Sequence, residues 1–189
     1  MHRLTAVSLA AVCAWITGGG LAAAAQDSFA VVDPPACTSN TGEPVAFEIV
    51  EGRSGLAAGM ARRDGQGRRV VLRSGFAAAP PAFQQFIDRH ECAHHQTGDV
   101  DMPHPPRNGP EHLMNEAVAD CIAILRLRDE EGFDAARLAE VTAALAADMA
   151  RIGFPEISVS SRIRNIEGCF ARTGDAAQLI AARLQERGL

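Results

Sequence analysis

Apolar and polar positions alternate from Val45 to Val50, the two-residue period of a half-buried strand. Leu56–Arg62 and Arg69–Arg73 flank Asp64-Gly65-Gln66-Gly67, a turn signal, and together read as a hairpin. From Pro80-Pro81 the period changes. Phe83, Phe86, Ile87, His90 and His94 recur at helical spacing, and proline suits a first turn, where the N–H has no intrahelical partner. Thr97-Gly98 closes that helix, and the proline-rich stretch Asp99–Pro110 must be a loop. A second helix is predicted over Glu111–Glu130. A third covers Asp134–Arg151, with Leu138, Val141, Leu145 and Met149 as its buried stripe. Gly153-Phe154-Pro155 breaks it, and one or two C-terminal helices follow.

One apolar run obeys neither period. Leu4–Ile16 follows His2 and Arg3 and leads to the small residues Ala22–Ala25, which is the pattern of a secretory signal peptide over residues 1–25. An uncleaved anchor is the alternative, but the Gly18-Gly19-Gly20 interruption and the A-x-A ending favour cleavage. The expectation is an exported chain, periplasmic or secreted, with no membrane span after cleavage. Residues 26–43 read as an extended N-terminal segment and 44–189 as one domain.

Charge narrows the partners. The net charge is −5, which argues against nucleic acid. Arg62, Arg63, Arg68 and Arg69 cluster only around the predicted turn, where a solvated hairpin accounts for them. Of five cysteines, Cys13 falls in the signal segment; Cys37, Cys92, Cys121 and Cys169 remain. An even count in an exported chain implies two disulfides, with three connectivities available. Cys92 lies about 200° round the helix from His90, so it should bridge away from that face. Cys121–Cys169 with Cys37–Cys92 is the favoured pairing.

The chemistry lies on the first two long helices. His90-Glu91-Cys92-Ala93-His94 is an HExxH motif. Residues four apart share a helix face, so both imidazoles can reach one Zn²⁺, with Glu91 beside it as a base. Asn115-Glu116-Ala117-Val118-Ala119-Asp120 carries the rest. Glu116 completes a His₂Glu ligand set, one zinc per chain, and leaves a fourth position for water. Asp120, one turn on, can accept the other ring N–H of a ligating histidine, His90 first. Asn115 is expected to bond nearby main chain at the site edge. Glu116 and Asp120 could instead form a solvated face, but Leu113, Ala117, Val118, Ala119 and Ile122 surround them. A His at 100 is required by one rival zinc class, and this chain has Val100; Asp99 or Asp101 as third ligand is the other rival, and Glu116 is preferred.

His90–His94 followed by Asn115–Asp120 resembles the gluzincin clan of zinc peptidases, whose pattern is HExxH and then NExxxD or ExxxD on a second helix. The stretches His90–His95 and Glu116–Cys121 also look like those of small exported bacterial proteins. The resemblance spans roughly residues 44–125, with a weaker match near Arg162–Asn165. It implies an α+β, minimal zincin-like fold. A short mixed β-sheet would pack on an active-site helix, followed by a glutamate helix and C-terminal helices.

The expected activity is metal-assisted hydrolysis of a peptide or protein substrate, with Glu91 as general base. The chain has no Tyr, so the phenol that many zinc peptidases use for the oxyanion is excluded. Arg162 or Arg164 is the first candidate in its place, then His112 or His104; His95 is read as a surface or packing residue. The competing expectation is an exported zinc-binding or partner-binding module that keeps the scaffold but is catalytically silent.

Overall fold

A computed structural model describes residues 28–51 and 58–189. The predicted signal peptide and the first residues of the predicted hairpin, Leu56 and Ala57, lie outside them. Three strands form one mixed sheet: β1 (Ala46–Ile49), β2 (Ala58–Arg63) and β3 (Arg69–Ser74), in the order β1-β3-β2. β1 runs parallel to β3, pairing Ala46 with Val70 and Ile49 with Arg73. β2 runs antiparallel to β3, pairing Ala58 with Ser74 and Arg63 with Arg69. The hairpin closes at the predicted place. Asp64 Oδ1 accepts from the N–H groups of Gln66 and Arg68, both at 2.9 Å, and Gly67 takes the positive φ of 80° that the turn requires.

The arginines around this turn are not simply solvated. Arg69 is buried, holding Glu43 at 2.6 Å and Asp101 at 2.8 Å, and Arg63 holds Asp101 at 2.9 Å. The Arg cluster therefore ties the hairpin to the segment before β1 and to the turn after the first helix. Sequence alone could not anticipate this, because the acidic partners lie 26 to 38 residues away.

Among the described residues there are five α-helices: α1 (Pro81–Gln96), α2 (Pro110–Glu131), α3 (Ala135–Arg151), α4 (Glu156–Ala171) and α5 (Ala176–Arg187). Proline stands in the first turn of both α1 and α2. Asp134 caps α3 by accepting from Ala136 and Arg137 N–H, both at 3.0 Å. The predicted Asp99–Pro110 loop contains a 3₁₀ turn at Asp99–Asp101.

α2 is the central element, packed against α1, α4 and α5, and Ile122, Ala123, Ile124 and Leu125 have no exposure in succession. Burial on every side explains why its apolar pattern is broader than a single stripe. Val141, Leu145 and Met149 of α3 join Phe83, Phe86, Ile124, Leu127 and Ile166 in the main core. The sheet lies on α1 through β2 and β3. The fold is thus α+β, a small mixed sheet beside a five-helix array.

Both expected disulfides are formed. Cys37–Cys92 pins the N-terminal segment to α1, and Cys121–Cys169 joins α2 to α4, with Cα separations of 5.9 and 5.3 Å. Among the described residues, no helix is long and apolar enough to cross a membrane.

Candidate metal centre

α1 presents His90 and His94 on one face, and α2 brings Glu116 to meet them. One ligand atom from each residue lies within 4.8 Å of the others. The two Nε2 atoms are 3.1 Å apart; His90 Nε2 is 3.4 Å from Glu116 Oε2, and His94 Nε2 is 3.5 Å from Glu116 Oε1. Tetrahedral donors at zinc-like bond lengths stand about 3.3 Å from one another. The His90–His94 separation and the approach of each ring to its nearer Glu116 oxygen bracket that figure, so the three residues could hold a small four-coordinate cation.

The far side of each ring agrees. His90 Nδ1 is 2.9 Å from Asp120 Oδ1, and His94 Nδ1 is 2.6 Å from Asp99 Oδ2. His94 Nδ1 is hydrogen-bonded to Asp99 and Asp120 faces His90 Nδ1 as an ion-pair partner; a proton on each Nδ1 would leave both Nε2 atoms facing Glu116. Lone pairs crowded in this way repel unless positive charge sits between them. The titration of the rings reflects the same demand. Burial opposes charging of His90, but Asp120 and Glu116 outweigh it and raise its pKa to about 9. Burial likewise opposes charging of His94, and Asp99 and Glu116 raise it to about 10. For Glu116, burial favours the neutral acid, yet the two histidines hold its carboxyl well below the usual carboxylate range. Uptake of a cation would expel the ring protons.

Glu91, on the next face of α1, is buried against the sheet. Its Oε2 accepts from Ala61 N–H of β2 at 2.7 Å. Gly59 makes this possible: a Cβ there would lie 2.3 Å from Glu91 Cγ and 2.8 Å from Oε1. His95 is fully buried, with Nε2 3.1 Å from Val70 O. Burial lowers its pKa to about 4, so it packs as a neutral ring.

The remaining candidates separate clearly. Arg162 forks onto Asp120, with Nε and Nη2 each 2.8 Å from a carboxylate oxygen, and stands 3.8 Å from Glu116 Oε2. Arg164 and His104 are exposed, and His112 is half-buried one turn before Glu116. Asp101 is engaged by Arg63 and Arg69 rather than grouped with the histidines. Asp99 supports His94 from behind rather than joining the ligand atoms. Asn115 does not bond main chain as expected; its Oδ1 accepts from Arg183 at 2.6 Å and Arg187 at 2.9 Å.

Gly59, Ala61 N–H, Arg183 and Arg187 had no signal in the sequence. Only Asp99 had one, as a rival third ligand shortly after the HExxH motif; the structure places it behind His94 instead. Compared with protein-family models, with curated proteins and with solved structures, the chain finds no match.

Proposed function

We propose that this chain is an exported zinc-dependent metallopeptidase of gluzincin type, with His90, His94 and Glu116 as ligands. The observation that carries the reading is the approach of the two Nε2 atoms to each other, 3.1 Å, and to the two oxygens of Glu116, 3.4 and 3.5 Å, with Glu91 next to His90 on α1. Two disulfides suit an oxidising compartment. When bound, zinc would lower the pKa of water toward neutrality and polarise a scissile carbonyl. Glu91 takes the proton of the attacking water on its carboxylate and delivers it to the leaving nitrogen. Asp99 holds His94 in the ligating tautomer by a hydrogen bond, and Asp120 stands 2.9 Å from His90 Nδ1, placed to favour the same tautomer there. Arg162 is a fixed positive charge beside Glu116, and its role toward an oxyanion rests on that proximity.

One observation favours a silent zinc-binding module instead: Glu91 already spends an oxygen on Ala61 N–H. The deciding experiment is zinc content by mass spectrometry on wild type, Glu116→Ala and Glu91→Gln, alongside digestion of a peptide library. The proposal expects one zinc per chain, lost in Glu116→Ala and kept in Glu91→Gln, with cleavage abolished in Glu91→Gln. Stoichiometric zinc without cleavage by wild type would select the silent module. A wild type without zinc would overturn both.

A further inference from the structure

The two ring supports of the metal centre are built alike, and one of them comes from an unexpected part of the chain. On one side, His90 meets Asp120, which is held by Arg162 of α4. On the other, His94 meets Asp99, which is ion-paired with Arg187 of α5. Arg187 is almost fully buried and makes two further bonds from the same guanidinium. Nη1 donates to Thr97 O, where α1 ends, at 2.7 Å, and Nη2 donates to Asn115 Oδ1, one residue before Glu116, at 2.9 Å. A single side chain thus gathers the end of the HExxH helix, the turn bearing Asp99 and the start of the glutamate helix.

We infer that Arg187 is a positioning residue for the metal centre, acting through Asp99 on His94, and that metal loading and docking of the end of α5 are coupled. The inference rests on the metal-site reading above. Three observations support it beyond the ion pair. Asp99 is largely buried, so its charge needs a fixed counter-charge to stay aimed at the ring. α5 has little core of its own: Ala176 is its one fully buried residue, and Leu179 and Ile180 are partly buried against α2. Its second half is therefore held by Arg183 and Arg187. Finally, the turn is shaped to receive that end of α5. Gly98 takes a φ of 76°, and a Cβ on it would lie 2.7 Å from Leu189 Cδ1. Coupling of this kind is reciprocal: if α5 docking aims His94, metal at His94 must hold α5 down.

The test is zinc affinity by chelator competition on the purified full chain, for wild type and the Arg187→Ala, Arg187→Lys and Arg183→Ala variants. Co²⁺ visible spectra at saturation accompany it. Loss of an outer support of a ligating histidine weakens metal binding about 10- to 100-fold. Arg187→Ala should fall in that range and shift the Co²⁺ bands, and Arg187→Lys should recover part of the affinity. Arg183→Ala, which removes one of the two bonds to Asn115 but leaves Asp99 paired, should lose far less. An Arg187→Ala affinity within about threefold of wild type would overturn the inference while leaving the metal site intact; so would an equal loss in Arg183→Ala. Should Arg187→Ala not fold, hydrogen exchange on wild type decides: α5 amides should exchange more slowly with Zn²⁺ than without. Identical exchange in protein that binds Zn²⁺ stoichiometrically would refute the coupling. A wild type that binds no Zn²⁺ would instead remove the metal reading, and this inference with it.

Discussion

Glu91 owes its place to a glycine thirty-two positions earlier. β2 runs so close to α1 that the Glu91 side chain crosses the space a Cβ at Gly59 would fill, 2.3 Å from Glu91 Cγ. Ile87 Cγ2 closes the same space at 2.8 Å, so Glu91 has no easy retreat. Its carboxylate is then fixed by Ala61 N–H, two residues along the strand. Gly59→Ala must push Glu91 off this seat while the histidines stay put on the other face of the contact. A displacement near 1 Å of a reacting group can cost about 100-fold in rate. On the proposed peptidase reading, the expected result is peptide hydrolysis lowered by about that factor with zinc content unchanged. Full activity in Gly59→Ala would show that the Gly59 contact does not set the position of the base.

Between elements, each disulfide grips a helix next to a residue of the site. Cys92 follows Glu91 on α1, and Cys121 follows Asp120 on α2. Cys169 lies on α4, two turns beyond Arg162, so the Cys121–Cys169 bridge holds the two helices at the spacing that Arg162 and Asp120 require. Asn165 adds a bond to Ala117 O at 3.0 Å across the same seam. Replacing both cysteines by Ala should cost about 2–5 kcal/mol in stability, by the entropy of the loop released in the unfolded chain. Zinc affinity should fall as well, because Asp120 and Arg162 lose their fixed spacing. A denaturant midpoint that drops while zinc affinity stays constant would confine the bridge to the unfolded-state effect. The helices themselves were well legible at this scale. Proline in the first turn, Asp134 as a cap and the Thr97-Gly98 stop are local devices, and each worked where the chain placed it. The strand order was not legible, since nothing local indicates that β3 lies between β1 and β2.

At the scale of the molecule, the site draws on five segments of the described chain. α1 and α2 supply the ligand atoms, the turn at Asp99 backs one ring, and α4 and α5 send in the arginines. A cation bound to the native state and not to the unfolded chain stabilises the whole domain by mass action, about 2.7 kcal/mol at free metal 100 times its Kd. Chelation should therefore lower the melting temperature, and titration of Zn²⁺ back into the sample should raise it progressively with free Zn²⁺. A melting temperature indifferent to Zn²⁺ would mean that zinc does not bind the native fold.

The sequence by itself picked out the His90, His94 and Glu116 group and much of its frame. Helical periodicity places His90 and His94 on one face, and Glu116 and Asp120 on another, without reference to the rest of the molecule. Cysteine placement left three connectivities open and favoured Cys37–Cys92 with Cys121–Cys169, the pairing the structure holds. Only the tertiary structure decided what holds these groups in place. Arg187 reaches Thr97 across 90 residues, Arg162 reaches Asp120 across 42, and Ala61 reaches Glu91 across 30. Asp99 is near in sequence but turns back on His94 only because Gly98 adopts a left-handed backbone. Spacing along one helix follows from its own geometry; contacts between distant segments follow from how their buried faces pack, and no local pattern encodes that.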